Sequence, residues 1–301
     1  MRALKKFLLS FVVFLVVCGL GLKWYVNYEV NRELRRAVAE VDGLALQWDG
    51  LSVSILHPAV TLEGVAGVLP TGDSFTADQI RVTSFDQRNT IPHYATAEAI
   101  GVRMDQAPGL HHWWPGLAKP VEGQENPCNL SLDYTYDPGN KKLMIKKASM
   151  ESSELGRIEL ACTLTGLDLA DPRPEQIVGL RIAGAKVRFI EGALVESMLR
   201  DTACALNSDT EQVRCQICDE LTALADYADG NQNPEAADAL RGFEQFVRKP
   251  RVVTITARPD EPVPVPYFFM GRDLCDNIRL LNLSVTTEEK VELDQNSIKS
   301  N

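Results

Sequence analysis

Four regimes of hydrophobic spacing succeed one another along this chain. The first is unbroken: Phe7 to Leu22 is sixteen residues without a charge. The second runs over 26–41, where Val30, Leu34, Ala37, Val38 and Val41 recur at helical spacing while Arg32, Glu33, Arg35, Arg36 and Glu40 face elsewhere. This predicts an amphipathic stalk helix, ended by Asp42-Gly43 with glycine suited to a left-handed cap. From Leu44 the period drops to two. Leu44, Leu46 and Trp48 alternate with Ala45, Gln47 and Asp49; Leu51, Val53 and Ile55 follow, and Val60 and Leu62 resume after His57-Pro58. Such alternation predicts short antiparallel strands, each half buried. Asp49-Gly50 predicts a hairpin turn between two of them. Further strands are expected over 77–84 and 99–104.

Turn chemistry sharpens the next stretch. Leu130 to Tyr136 runs into Asp137-Pro-Gly-Asn140, Leu143 to Ser149 returns, 151–156 turns again and Arg157 to Thr165 follows. This is a three-strand meander. It sets Cys128 and Cys162 two strands and several residues apart, too far for a disulfide. One or two strands are expected over 179–190.

The fourth regime starts at Gly192 and is helical again. Leu194, Met198 and Leu199 begin one helix; Val213, Ile217, Leu221 and Leu224 mark a second. Ala237, Leu240, Phe243, Phe246 and Val247 mark a third, opened by Pro234 and ended by Pro250. A strand over 252–257, an extended Pro262–Pro266, a short helix within 267–281 and a strand from Leu283 close the chain. The fold class is α+β: an N-terminal transmembrane helix, an antiparallel β-sheet body and a helical subdomain toward the C-terminus. The expected divisions are 1–26 anchor, 27–43 stalk, 44–190 β-rich domain, 191–250 helical segment, and 251–301 a closing strand-helix-strand with a polar tail.

As a helix the uncharged run is about 24 Å long, against a bilayer core of about 30 Å. Ala3 and Leu4 lengthen it on one side, and residues 24–26 on the other. Lys5, Lys6 and Lys23 can snorkel to water, and Trp24 and Tyr25 suit the interface, so Lys23, Trp24 and Tyr25 form the expected interfacial anchor. A cleaved signal peptide needs small residues after the apolar run; bulky Leu22-Lys-Trp-Tyr25 favours an uncleaved anchor. Arg2, Lys5 and Lys6 precede the span without an acid, which puts the N-terminus in the cytoplasm. The expectation is a single-pass inner-membrane protein with a periplasmic body.

Composition narrows the classes. The net charge of −10 argues against nucleic acid as partner and against electrostatic adhesion to anionic lipid. A hydrophobic content of 45% is ample for a packed core. Six cysteines lie beyond the span, and an oxidising compartment favours disulfides among them. Cys215-Gln-Ile-Cys218 is a C-x-x-C, but the residues before it place both thiols inside a helix, away from the helix start that lowers a thiol pKa. Cys204, Cys215, Cys218 and Cys275 are therefore read as structural. Cys204 meets Cys215 across a helical hairpin, and Cys218 either reaches Cys275 or stays free, giving at least one disulfide. A redox pair and a zinc site are the alternatives for these four.

Residues 106–127 carry four prolines and the sequence Leu110-His-His-Trp-Trp-Pro115. This is a long loop. Trp113 and Trp114 are candidates for a partner or bilayer contact, or else cap the core. No G-x-S-x-G, H-E-x-x-H, phosphate-binding loop or dinucleotide fingerprint occurs. The expectation is a non-enzymatic protein without cofactor or metal.

The order of span, amphipathic helix and alternating strands resembles the N-terminus of AsmA-like envelope proteins of Gram-negative bacteria. The stretches that carry the likeness are Leu46-Gln-Trp-Asp-Gly-Leu-Ser-Val-Ser-Ile-Leu-His-Pro-Ala-Val-Thr-Leu-Glu-Gly-Val65 and Phe75-Thr-Ala-Asp-Gln-Ile-Arg-Val82. The same texture is similar to DUF945-type anchored periplasmic proteins. The likeness covers roughly residues 1–105. It implies a periplasmic β-rich body, in some members with an apolar groove for lipid chains, and no catalytic residues. The function expected is envelope maintenance, through a lipid or a protein partner held on the sheet, with the bilayer itself a partner through the N-terminal helix. A ligand-free scaffold is the alternative, and a thiol-redox protein using Cys215 and Cys218 a further one.

Overall fold

Period-two alternation becomes a single sheet. The structure, a computed structural model, describes residues 25–39, 42–54, 59–86, 88–89, 91–104, 127–153, 155–169, 176 and 178–288. The apolar run with Lys23 and Trp24, and the stretch with Trp113 and Trp114 expected to be a loop, lie outside the described residues. Helix α1 (25–39) comes first. Eight strands follow, β1 (Ala45–Gln47), β2 (Gly50–Ser54), β3 (Ala59–Val68), β4 (Ser74–Phe85), β5 (Tyr94–Met104), β6 (Cys128–Asp137), β7 (Lys142–Ser152) and β8 (Gly156–Thr165). Strand β9 (Arg181–Glu191) leads into helices α2 (Leu194–Leu206), α3 (Thr210–Gly230) and α4 (Pro234–Arg248). The chain ends with β10 (Val252–Ala257), β11 (Val263–Pro264), a 3-10 turn (Val265–Phe269), α5 (Leu274–Leu280) and β12 (Leu283–Glu288).

All twelve strands belong to one antiparallel sheet, in the order β1-β3-β4-β5-β6-β7-β8-β9-β10-β12, with β2 also on β3 and β11 also on β9. The β-body and the closing segment are thus continuous, and the three helices are an excursion between neighbouring strands β9 and β10. Among the described residues no helix is long and apolar enough to cross a membrane.

The Asp49-Gly50 hairpin does not form. Ala45–Gln47 pairs with Val68–Ala66 and Gly50–Ser54 with Glu63–Ala59, in one unbroken antiparallel register. Trp48-Asp49 is therefore a local break in one edge line, opposite Gly64. Gly64 has φ +59°, and a Cβ there would lie 2.2 Å from Asp49 Oδ2. The break repeats two strands on. Gly101 has φ +65°, a Cβ there would lie 2.0 Å from Asp78 Oδ2, and its N–H donates to Asn129 Oδ1 at 3.0 Å. Left-handed backbone admits glycine readily and other residues at a cost. Asp49, Gly64, Asp78, Gly101 and Asn129 thus mark a crease across five strand lines. It shifts the pleat by one residue: core side chains that straddle it, Trp48/Leu51, Leu62/Val65, Ala77/Ile80 and Ala99/Val102, are three apart instead of two. An Asp-Gly pair that reads locally as a turn is here a crease that keeps one face dry.

Two coverings pack on the sheet. Helix α1 lies against the edge line, antiparallel to it. Asn27 Oδ1 accepts from the Val53 N–H at 2.9 Å, Trp48 Nε1 donates to Asn31 Oδ1 at 3.0 Å, and the Arg35 guanidinium sits 4.9 Å above the Trp48 ring. Asn27 thereby satisfies an edge N–H that would otherwise be free to pair with another chain. Leu34 joins the core of Leu62, Val65, Ala77 and Val102. At the far side, α3, α4 and α5 build a second core from Ala225, Ala228, Ala237, Leu240, Cys275 and Ile278, against Leu283 and Val285 of β12. Gly242 lets α4 come close: a Cβ there would meet the Val285 carbonyl oxygen at 2.8 Å. Phe246 meets Phe189 of β9 edge-to-face at 5.9 Å.

The helices begin as their caps dictate. The Asp209 side chain accepts from the Glu211 N–H and Asn233 from the Ala236 N–H, with Pro234 in the first turn of α4. Buried Arg214 ties three helices: it donates to Glu196 at 2.6 Å, to Glu211 at 3.1 Å and to the Val247 carbonyl at 2.8 Å.

The six cysteines among the described residues are free thiols, and the expected disulfide is not formed among them. The seam between α2 and α3 is set by Leu199, Ala203 and Val213. Cys204 and Cys215 each sit one position round from a seam or buried residue, and both are exposed. Cys218 and Cys275 are buried in different places. The Cys218 thiol faces the Glu244 carbonyl at 3.9 Å, and Cys275 packs among Ala225, Leu240 and Ile278. Cys128 pairs with Ser152 and Cys162 with Ile145, at opposite ends of β7.

Candidate functional site

Register carries the alternation of each strand across the whole sheet. Starting from Leu51, paired residues run Leu51, Leu62, Ile80, Ala99, Leu130, Met150, Ile158, Phe189, Val253 and Thr287. Two residues along, a second row runs Val53, Val60, Val82, Ala97, Leu132, Ala148, Leu160, Val187, Ile255 and Val285. Between them lies Ser52, Thr61, Arg81, Glu98, Ser131, Ser149, Glu159, Arg188, Thr254 and Thr286. Successive residues of a strand point to opposite faces. The two rows, apolar throughout but for Thr287 at the end of the first, therefore share one face and the polar row the other, over ten strand lines, or about 43 Å at the usual 4.8 Å spacing.

Register shifts fall on either side of this band and none within it. They lie between Val82 and Ser84, Ala99 and Val102, Asp133 and Tyr134, Ile145 and Ala148, and Thr163 and Leu164. Bulges raise the local twist and bend a strand, so the sheet bends around the band while the band keeps its pairing.

Side chains of the polar face pair with one another in its own plane, while Arg157 Nε is buried without a hydrogen-bond partner. The Ser131 and Ser149 hydroxyls are 2.6 Å apart, Arg157 pairs with Glu159 at 2.6 Å and Arg188 with Glu288 at 3.5 Å. Its recesses are shallow and lined by such charges as Glu98, Lys147, Glu151 and Arg157.

The apolar face differs along its length. Leu51, Leu62, Ile80, Ala99 and Leu130 pack into the core under α1. Val285 and Phe189 lie beneath α4. In between, Ala148, Met150, Ile158 and Leu160 are half-buried like most of both rows but belong to no core cluster among the described residues, and Leu132 is 39% exposed. Among the described residues, Tyr136 is the sole buried hydrophobic side chain of β6 to β9. Its hydroxyl is taken up locally, donating to the Leu167 carbonyl at 3.1 Å and accepting from the Leu169 N–H at 3.2 Å. Main-chain polar groups in this stretch are engaged in ladders on both sides. The surface therefore offers alkyl contact and little hydrogen bonding.

Among the described residues no set of acid, base and nucleophile converges on this face, which carries the lone thiols of Cys128 and Cys162. Among the described residues, a strongly perturbed carboxyl lies elsewhere, at the β4–β5 turn. Asp86 accepts from the Asn89 amide at 2.7 Å, the His93 N–H at 3.0 Å and the Arg88 N–H at 3.0 Å, and these bonds lower its pKa to about 2. It organises its own turn. Burial pushes the Cys218 and Cys275 thiols up, away from the thiolate that redox chemistry needs. Cys215 and Cys218 lie in the second and third turns of α3, well past its capped start. Among the described residues no group of three or more His, Cys, Asp or Glu is arranged to hold a metal ion. Of the expected interface residues, Tyr25 opens α1 and is 58% exposed. Strand-by-strand alternation was visible in the sequence, but the rows were not, because they depend on register across the whole sheet.

Comparison with protein families finds a match to a family described as an uncharacterized protein, over residues 149–288, from the middle of β7 to the end of β12. No curated protein matches the chain.

Proposed function

We propose that this is a non-enzymatic protein of the cell envelope, anchored in the inner membrane by its N-terminal run, which holds lipid acyl chains on the dry face of its sheet. One observation carries the reading: two rows of apolar side chains cross the sheet, over nine strand lines in one and ten in the other, with helices packed on them at both ends, and among the described residues no core cluster includes a side chain of β7 or β8. A contiguous apolar surface of that extent marks a binding surface. Alkyl chains suit it because it lacks the placed polar groups that would orient a polar ligand. The bilayer supplies such chains, and α1, which leads out of the uncharged run, lies on the edge of this sheet.

The body then stands on the periplasmic side, and protease added to spheroplasts reaches it. Native mass spectrometry of the full chain released from detergent tests the ligand. Co-purified phospholipid is expected with the wild type, and at least tenfold less with Leu132→Glu or Leu160→Glu. Ser149→Glu, on the opposite face, leaves it unchanged. Equal lipid in all four proteins, or none in the wild type, would overturn the reading.

A further inference from the structure

Helix α1 fixes which end of the sheet meets the membrane. Asn27 lies beside Val53 at the end of β2, whereas Asn31 and Arg35 lie beside Trp48 further back along the edge line. The start of α1 is therefore level with the β2–β3 connection. Leu22, the last residue of the uncharged run, is three residues before Tyr25. Three residues span at most about 11 Å even when extended. The polar layer on each side of a bilayer is about 5 to 7 Å thick. A body fastened this close and on this side has little room to stand clear of the lipid.

The antiparallel meander brings the β4–β5, β6–β7 and β8–β9 connections to that same end, with the segment after β11. Phe85 and Tyr94 flank the first of these and are 48% and 43% exposed. Val178, between β8 and β9, is 73% exposed. Tyr267 and Met270, just after β11, are 40% and 72% exposed, and β11 pairs with the start of β9. These residues come from three connections distant in sequence, and no local motif explains their shared exposure.

We infer that this end of the body rests on the bilayer that holds the anchor, with Phe85, Tyr94, Val178, Tyr267 and Met270 entering its interface. The inference rests on the membrane-anchored reading and extends it. Tyrosine rings and flexible apolar side chains are suited to the headgroup boundary. The net charge of −10 gives no attraction to anionic lipid, so apolar insertion holds the contact. Tyr134, Ile145 and Cys162, paired with one another, continue the dry face toward this end. An acyl chain can then pass from the bilayer onto the sheet without crossing water.

The test uses the full chain in vesicles of phosphatidylethanolamine and phosphatidylglycerol. Exposed Cys204 and Cys215 and half-buried Cys128 and Cys162 are first changed to Ser. Single nitroxide labels are then placed through Val178→Cys or Met270→Cys, and through Val68→Cys or Met104→Cys at the opposite end. Labels at 178 and 270 are expected to be reached by oxygen dissolved in lipid and shielded from a water-soluble nickel chelate, by at least fivefold over those at 68 and 104. Equal chelate access at all four sites, with the protein still floating with the vesicles, overturns this inference alone. Failure of the unlabelled full chain to float overturns the anchored reading and this inference with it. Because the four sites are exposed, labelling leaves the fold intact; a melting midpoint within the wild-type range checks this for each protein.

Discussion

The flank of the sheet under α4 and its middle at β7 and β8 carry the same pattern and set it against different neighbours. Phe189 and Val285 in the flank stand in the same two rows as Ile158 and Ala148 in the middle. All four are half-buried; the flank pair meets Phe246 and the backbone at Gly242, whereas no core cluster among the described residues includes a side chain of β7 or β8. Alternation in a strand decides which face avoids water. What covers that face is decided by other parts of the chain, or by another molecule.

The comparison breaks most easily at Gly242. A leucine there has no room against the Val285 carbonyl, and overpacking of this kind costs roughly 3 kcal/mol. Ala148→Leu, in the same row as Val285, should cost less than about 1 kcal/mol in detergent because no helix among the described residues packs on the middle. Denaturant midpoints of the two variants measure this, and equal losses would mean the middle is packed as tightly as the flank.

Truncation should repeat the contrast in the opposite sense. Leu240 is 1% exposed, and Leu240→Ala is expected to cost about 3 kcal/mol. Leu160→Ala, at a half-buried site, is expected to cost about 1 kcal/mol in lipid-free protein. Added phospholipid should widen the second gap and leave the first unchanged, as read from the same unfolding curves.

A smaller effect tests whether the helical roof holds itself together. Arg214→Met removes charge-assisted bonds to Glu196, Glu211 and the Val247 carbonyl. The partner carboxylates are exposed enough to recover water, so the loss is expected near 2 kcal/mol. Hydrogen exchange should rise in α2 to α4 while β6 to β8 keep their protection.

The smallest effect lies at the β4–β5 turn. Asp86 titrates lower in the fold, near 2, than its ordinary 3.8. A depressed carboxyl stabilises fully above its unfolded pKa, and that contribution is lost as pH falls toward 2. Between pH 4 and 2 the wild type should therefore lose stability that Asp86→Asn has already lost. The two melting curves should converge in acid, and a constant gap would refute this assignment.

Legibility in the sequence followed the range of the interaction. The meander from Cys128 to Thr165 could be read because Asp137-Pro-Gly-Asn140 makes its own turn, with Asp137 Oδ1 accepting from the Gly139 N–H at 3.0 Å. Helices α3 and α4 were legible from period and from Pro234. Asp49-Gly50 misled because its conformation depends on Gly64 of the next strand, not on its own neighbours. The disulfide expectation failed for a similar reason. A short link makes α2 and α3 neighbours, but the seam residues decide which side chains face, and they turn Cys204 and Cys215 outward. The candidate site was half legible. Alternation identified apolar faces strand by strand, while their merger into two rows required the register of every pair and the return of β10 and β12 to the same sheet.

The most direct measurement of the central claim is a cross-linking map. The full chain is placed in vesicles carrying a phospholipid with a photoactivatable group at the end of its acyl chain, and the adducts are located by peptide mass spectrometry. Adducts are expected on Leu132, Ala148, Met150, Ile158 and Leu160, beyond those on the N-terminal run. Adducts confined to residues 1–26, with β6 to β8 unlabelled, would contradict a sheet that holds lipid chains.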